Sequence, residues 1–235
     1  GPEPAIRPGL EFVKSLTAQT TRRILEHRAA RPFASLQDFH LRVRPNRTEL
    51  ENLVLSGALD CLGHSRPTML MQGERLPEEP PPEGRLFEGA PSYDGGPEVP
   101  EQPPYSLARR VLLELRTLGF SHSGHATDAW SGALDRAPRL TASYQLGQRV
   151  GRRIHYAGWL VTTRRALTKE SRYMRFLTLE DRHGVAEVVL FPDVYRACGK
   201  NITGAGVYLV HGRVKEQNGA TSIVAESVEA LPANG

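Results

Sequence analysis

The chain is poor in cysteine, with two in 235 residues, Cys61 and Cys198, far apart and outside any Cys-x-x-Cys pairing. That usage argues against a zinc ribbon or a disulfide framework and for a reducing cytoplasm, in which each thiol is expected to be a small core hydrophobe. No apolar run approaches the roughly 20 residues of a membrane-spanning helix, so a soluble protein without a membrane partner is expected. Motifs for chemistry are equally scarce. There is no Gly-x-x-x-x-Gly-Lys-Ser/Thr phosphate loop, no His-Glu-x-x-His and no serine elbow. His122 and His125, in Ser121-His122-Ser123-Gly124-His125, lack an accompanying acid or thiolate and read as loop residues. Glu180-Asp181, at a strand end before Arg182-His183-Gly184, read as turn-capping residues rather than magnesium ligands. No catalytic residue, metal ligand or cofactor is assigned. The chain opens Gly1-Pro2 without methionine or charged leader, which reads as the scar of a cleaved tag on a piece of something longer.

Charge is present and unevenly spread. The net charge is +4, but Pro77 to Pro104 holds seven acids against Arg85 alone, a balance of −6 that leaves +10 for the remainder. A positive folded part joined by an acidic tether suits a phosphate-binding protein. The same stretch carries nine prolines and is expected to form no packed element.

Before the tether the chain reads as short helices with explicit punctuation. Thr21 to Ala30 is helical, Ser35 with Asp38 and Asn46 with Glu49 make capping boxes, Gly57 stops one helix, and Ser65 with Pro67 starts the next. After the tether, Ser106 caps a helix with Leu107, Val111, Leu115 and Leu118 on one face and Gly119 as its stop. From Arg153 the period becomes that of strands: Ile154 to Arg164, Tyr173 to Glu180, Val185 to Phe191, Gly206 to Lys215 and Thr221 to Leu231, with a short helix from Asp193 to Cys198. Five strands with a helix between the third and fourth is the order of an OB-fold, a small Greek-key barrel. The expected fold is α+β and multidomain: a small all-α helix-hairpin-helix domain over 1–76, the acidic tether over 77–104, a helical connector over 105–150 and a five-stranded OB barrel over 151–235.

Two segments are candidates for nucleic-acid contact. Leu53 to Asp60 is a helix end, a glycine turn and a restart, as in helix-hairpin-helix elements whose glycine lets backbone amides approach phosphate; Phe12 to Thr17 precedes a helix in the same way. Lys14, Ser56, Gly57 and Ala58 are the residues expected to touch duplex phosphates. In the barrel, Arg164, Arg165, Lys169, Arg172 and Arg175 cluster at the first hairpin with Trp159, Tyr173, Phe176 and Phe191, the mixture of cations and aromatic faces that a single-strand groove needs. Alternation alone leaves open whether Met174, Phe176 and Thr178, or Arg175, Leu177 and Leu179, face that groove.

The strings Met174-Arg175-Phe176-Leu177-Thr178-Leu179-Glu180-Asp181 and Glu187-Val188-Val189-Leu190-Phe191-Pro192, with Leu209-Val210-His211-Gly212-Arg213-Val214 later, resemble the OB domain of bacterial C-family (DnaE-type) DNA polymerase III α subunits. Phe33 to Phe39, Leu55 to Gly63 and Leu118 to His125 resemble the helix-hairpin-helix region and the entry to the barrel of the same family. The resemblance implies a replicative or error-prone parent whose magnesium-binding catalytic domain lies upstream, a segment that holds duplex and single-stranded template, and a cytoplasmic, nucleoid-associated setting. Where the family carries glycines in the first hairpin this chain has Ser15 and Thr17, which shifts the expected phosphate contact to the second. The family's internal sliding-clamp motif stands between the two regions; here Glu83-Gly84-Arg85-Leu86-Phe87 occupies that place, with Leu86 and Phe87 as the clamp-binding pair and glutamate where glutamine is usual. Two other functions fit the same domains, a stand-alone single-strand-binding or repair accessory protein and a protein-interaction scaffold that contacts no DNA.

Overall fold

In the computed structural model, residues 8–77, 99–168, 170–202 and 204–233 are described, and they divide into two compact units, residues 1–123 and 124–235. The first is helical. A 3-10 turn at Leu10–Phe12 leads to α1 (Ala18–Ala30), α2 (Leu36–Val43), α3 (Arg47–Leu55), α4 (Arg66–Arg75) and α5 (Leu107–Leu118). Each start follows from its side chain: Thr17, Ser35, Asn46, Ser65 and Ser106 all accept a backbone N–H of the first turn, and Asn46 with Glu49 forms a full capping box. Ile24, Phe39, Val43, Leu53, Val54 and Met69 form the centre of its core.

Helix α5 buries the face read from the sequence only in part: Val111 is buried, Leu115 and Leu118 are half-buried and Leu107 is exposed, while Leu113, Glu114 and Thr117 are buried beside them. The helix rotates its acid inward because Arg66 supplies the opposite charge, as described below. Cys61 is exposed rather than a core residue, while Cys198 packs partly buried against the barrel core. The division at Ser123/Gly124 also falls inside the segment read as a connector, since α5 belongs with the helical unit and residues 126–149 with the barrel. At the end of the tether, Glu101 accepts the Ser65 N–H at 2.8 Å and pairs with His64 at 3.0 Å, so this stretch is bound to the start of α4.

The second unit is the barrel. After 3-10 turns at Ala126–Trp130 and Ser143–Arg149 and the short α6 (Ser131–Asp135) come β1 (Arg153–Leu167), β2 (Tyr173–Asp181), β3 (Gly184–Leu190), α7 (Pro192–Cys198), β4 (Val207–Gln217) and β5 (Ala220–Ala230). The strands close in the order β1-β2-β3-β5-β4, with β3 and β5 parallel and all other pairs antiparallel. This is the five-stranded OB barrel. Asn218 and Gly219, both at positive φ, make the two-residue turn between β4 and β5. Leu177, Val188, Val214 and Ile223, one from each of β2, β3, β4 and β5, are fully buried in its centre beside Tyr156 of β1.

Candidate nucleic-acid interface

Parity on β2 is settled by the core. Leu177 and Leu179 point into the barrel, so Phe176 and Thr178 stand on its outer face. The register then runs a continuous row around that face: Arg164 on β1 pairs with Phe176 on β2, Phe176 with Val189 on β3, Val189 with Val224 on β5, and Val224 with Arg213 on β4. A polar row follows beside it, Thr162, Thr178, Glu187, Ser222 and Lys215. The Arg164 guanidinium lies 4.3 Å from the Phe176 ring centroid, Arg165 lies 5.7 Å from that of Tyr173, and Arg175 lies 5.9 Å from that of Tyr195 while its Nε donates to Thr163 Oγ1. Planar cations over aromatic faces can accept a base as a further layer of the stack while remaining available to phosphate.

The structure spreads the other expected barrel residues around this row. Tyr173 and Phe191 are exposed, and Phe191 is the residue from which α7 starts. Arg172 is paired with Glu170 and Asp193 at the hairpin tip. Trp159 stands apart, packed at 5.4 Å on Trp130, whose indole N–H donates to Leu231 O. Lys169 lies outside the described residues, as do Leu86 and Phe87. Asp181 does cap the turn, accepting the N–H groups of His183 and Gly184 and binding Ser143.

In the helical unit the two hairpins differ. At the second, α3 ends on Gly57 at φ +82°, and the Gly57 and Ala58 N–H groups donate to Val54 O and Leu53 O at 3.0 and 3.1 Å. The Ser56 N–H likewise donates to Asn52 O. The amides expected to be free for an anion are therefore spent on closing the helix. At the first, Ser15 adopts φ +61°, the left-handed conformation for which glycine is the relaxed choice, Lys14 is exposed, and Thr17 caps α1. The serine substitution thus leaves the turn conformation in place at a strain cost.

The sequence reading missed what locks the second hairpin. Arg66, 4% exposed, donates to Leu55 O, to Asp60 and to the fully buried Glu114. Glu114 also accepts from the Ser121 and Ser123 hydroxyls and from the His122 and Ser123 amides. Burial pushes its carboxyl up, but these donors, Ser123 foremost, outweigh burial and hold it at about 2. His122 Nε2 lies 2.9 Å from Ser56 O, and His125 caps the 3-10 turn that follows it, so both histidines are structural loop residues. Among the described residues no cluster of three or more His, Cys, Asp or Glu side chains could hold a metal ion, and no helix is long and apolar enough to cross a membrane.

Comparison with known proteins agrees with this anatomy. Residues 2–69 match the helix-hairpin-helix motif family, and residues 155–231 match an OB-fold nucleic acid binding domain family. An error-prone DNA polymerase of Anaeromyxobacter sp. (strain K) is 31% identical across 100% of this chain and 20% of its own length. Another, from Corynebacterium efficiens, is 28% identical across 98% of the chain and 20% of its own length. The chain thus spans about a fifth of the curated relatives it matches. Among solved structures, the single-stranded DNA binding protein of Thermus aquaticus overlaps 35% of this chain and 41% of that one at 19% identity and a TM-score of 0.31, too little to argue from. With a helix-hairpin-helix region, an OB barrel and similarity along its whole length to about a fifth of these enzymes, the chain is similar to one stretch of the bacterial error-prone DNA polymerases.

Proposed function

We propose that this segment is the non-catalytic DNA-holding part of such a polymerase, its barrel carrying single-stranded template along the outer row and its helical unit touching duplex phosphates through the first hairpin. The observation that carries the reading is the row Arg164, Phe176, Val189, Val224, Arg213, because it sets a cation-covered aromatic ring and the half-buried Val224 along one path with arginines at both ends, Val189 being buried between them. In the helical unit the amides of Lys14, Leu16 and Thr17 are used as Gly57's is, so the candidate for phosphate is the exposed Lys14 side chain beside the left-handed Ser15. Catalysis and its Mg2+ are assigned to the parent's remaining length, and the setting to the bacterial cytoplasm at the nucleoid. The Leu86-Phe87 pair is proposed to tether the sliding clamp; replacing both with alanine should abolish retention of this chain on immobilised clamp, and unchanged retention would refute that part.

The test of the main reading is a fluorescence-anisotropy titration of a labelled primer-template with a single-stranded overhang. Stacking on an aromatic side chain contributes about 1–3 kcal/mol per base, so an Arg164→Ala/Phe176→Ala variant should bind at least about fivefold more weakly. Equal affinity of variant and native chain would sink the barrel assignment.

A further inference from the structure

On the barrel unit a second basic feature lies beyond the end of the outer row. Arg213, the last residue of that row, pairs across the sheet with Arg153 at the start of β1. Arg153 in turn borders a cleft of about 340 Å³ lined by Arg139, Arg149, Arg152, Gln145 and His155. The cleft is built by backbone geometry. Leu140 bridges to His155, and the Thr141 N–H donates to His155 O, which lays residues 139–141 along β1. The Ser143–Arg149 turn then ends at Gly151, at φ +80°, whose N–H donates to Val214 O and whose carbonyl accepts from Arg213.

The charges of this cleft are not balanced from within. Elsewhere Arg31, Arg42, Arg66, Arg172 and Arg182 each face a carboxylate, and at the cleft edge Arg153 pairs with Glu226. For Arg139, Arg149 and Arg152 no carboxylate among the described residues comes within ion-pair distance. Three arginines lining one concave site gather positive charge there, and the ligand chemistry that balances it is an oxyanion with several acceptor oxygens, which planar arginine binds in a two-pronged manner.

We propose that this cleft is a phosphodiester-binding pocket which anchors the nucleic-acid strand as it leaves the outer row at Arg213. The proposal rests on the strand path put forward above, and it adds a site with its own residues, Arg139, Arg149 and Arg152. The strand passes from stacking on Phe176 to backbone clamping in the cleft, so the pocket contributes affinity without base preference.

The test uses the full chain and fluorescein-labelled dT20, titrated across a series of salt concentrations. Three variants are compared with the native chain: Arg139→Ala/Arg149→Ala/Arg152→Ala, a second with glutamine at the same positions, and Arg164→Ala/Phe176→Ala. Loss of three phosphate contacts from a single strand should flatten the plot of log K against log salt by about 2, at roughly 0.7 per contact. Both cleft variants are expected to show that change with their tryptophan emission and ellipticity native. A slope equal to that of the native chain in both overturns the proposal. If the cleft variants lose slope while Arg164→Ala/Phe176→Ala binds like the native chain, the outer-row reading fails and the phosphate pocket stands. Inorganic phosphate distinguishes the remaining source: should it raise the melting temperature of the native chain alone while dT20 binding is the same in all forms, the cleft holds free phosphate and strand anchoring is overturned.

Discussion

At the level of single residues, Glu114 is the side chain on which the helical unit depends most. It is fully buried, it is the counter-charge of a buried arginine, and it gathers the 121–123 segment onto α5. Breaking a buried pair by removing one charge costs about 3–5 kcal/mol, and because Asp60 still faces Arg66, Glu114→Gln should sit at the low end of that range in urea unfolding. The pH sign follows from a folded pKa of about 2 against an ordinary 4.5. The carboxylate's contribution is complete above 4.5, shrinks as pH falls below it, and is gone below about 2, so native and Glu114→Gln chains should converge in urea midpoint on acidification. A constant gap would show that charge is not what Glu114 supplies. Gly57 gives a second prediction. Alanine there incurs about 1–2 kcal/mol for a left-handed backbone, and its Cβ would also stand 2.2 Å from Arg66 Nη2. At Gly63 and Gly119, with the same φ and open space around them, only the backbone cost applies, so Gly57→Ala should lower the urea midpoint more than either.

At the level of elements, most starts and stops were legible because they are written locally: Ser35, Asn46, Ser65 and Ser106 carry their caps in the side chain, and Gly119 and Asn218-Gly219 carry their φ in the residue type, whereas the start of α1, capped by Thr17, was read as late as Thr21. The five strands and their order were legible for the same reason. Which face of β2 looks outward was not, since Phe176 and Leu177 are both apolar, and the choice is made by Val188, Ile223 and Val214 on other strands. Part of the buried face of α5 was hidden likewise, because an acid enters a core only when a cation 48 residues away in sequence meets it. The barrel also depends on a glycine at the bulge between His211 and Gly212, where a Cβ would lie 2.4 Å from Val224 O. Overpacking of this kind costs about 1–3 kcal/mol, so Gly212→Ala should lower the barrel's melting temperature by at least about 4 °C. An unchanged melting curve would mean that β4 and β5 can separate there freely.

At the level of the whole molecule, each unit has its own hydrophobic core, one around Phe39 and Leu53, the other around Tyr156 and Leu177. Glu114→Gln is therefore expected to shift the unfolding transition seen by far-ultraviolet ellipticity of the helices and leave that of the barrel in place, a separation that differential scanning calorimetry would confirm or collapse into one shifted peak. The optical means to tell the units apart is already in the sequence. The chain has two tryptophans, and both, Trp130 and Trp159, lie in the barrel with their rings 5.4 Å apart. The helical unit is dark in tryptophan emission, so every indole photon reports the barrel alone, and the coupling of two tilted rings should give it a circular-dichroism couplet, expected to vanish when Trp130 lets go of Trp159.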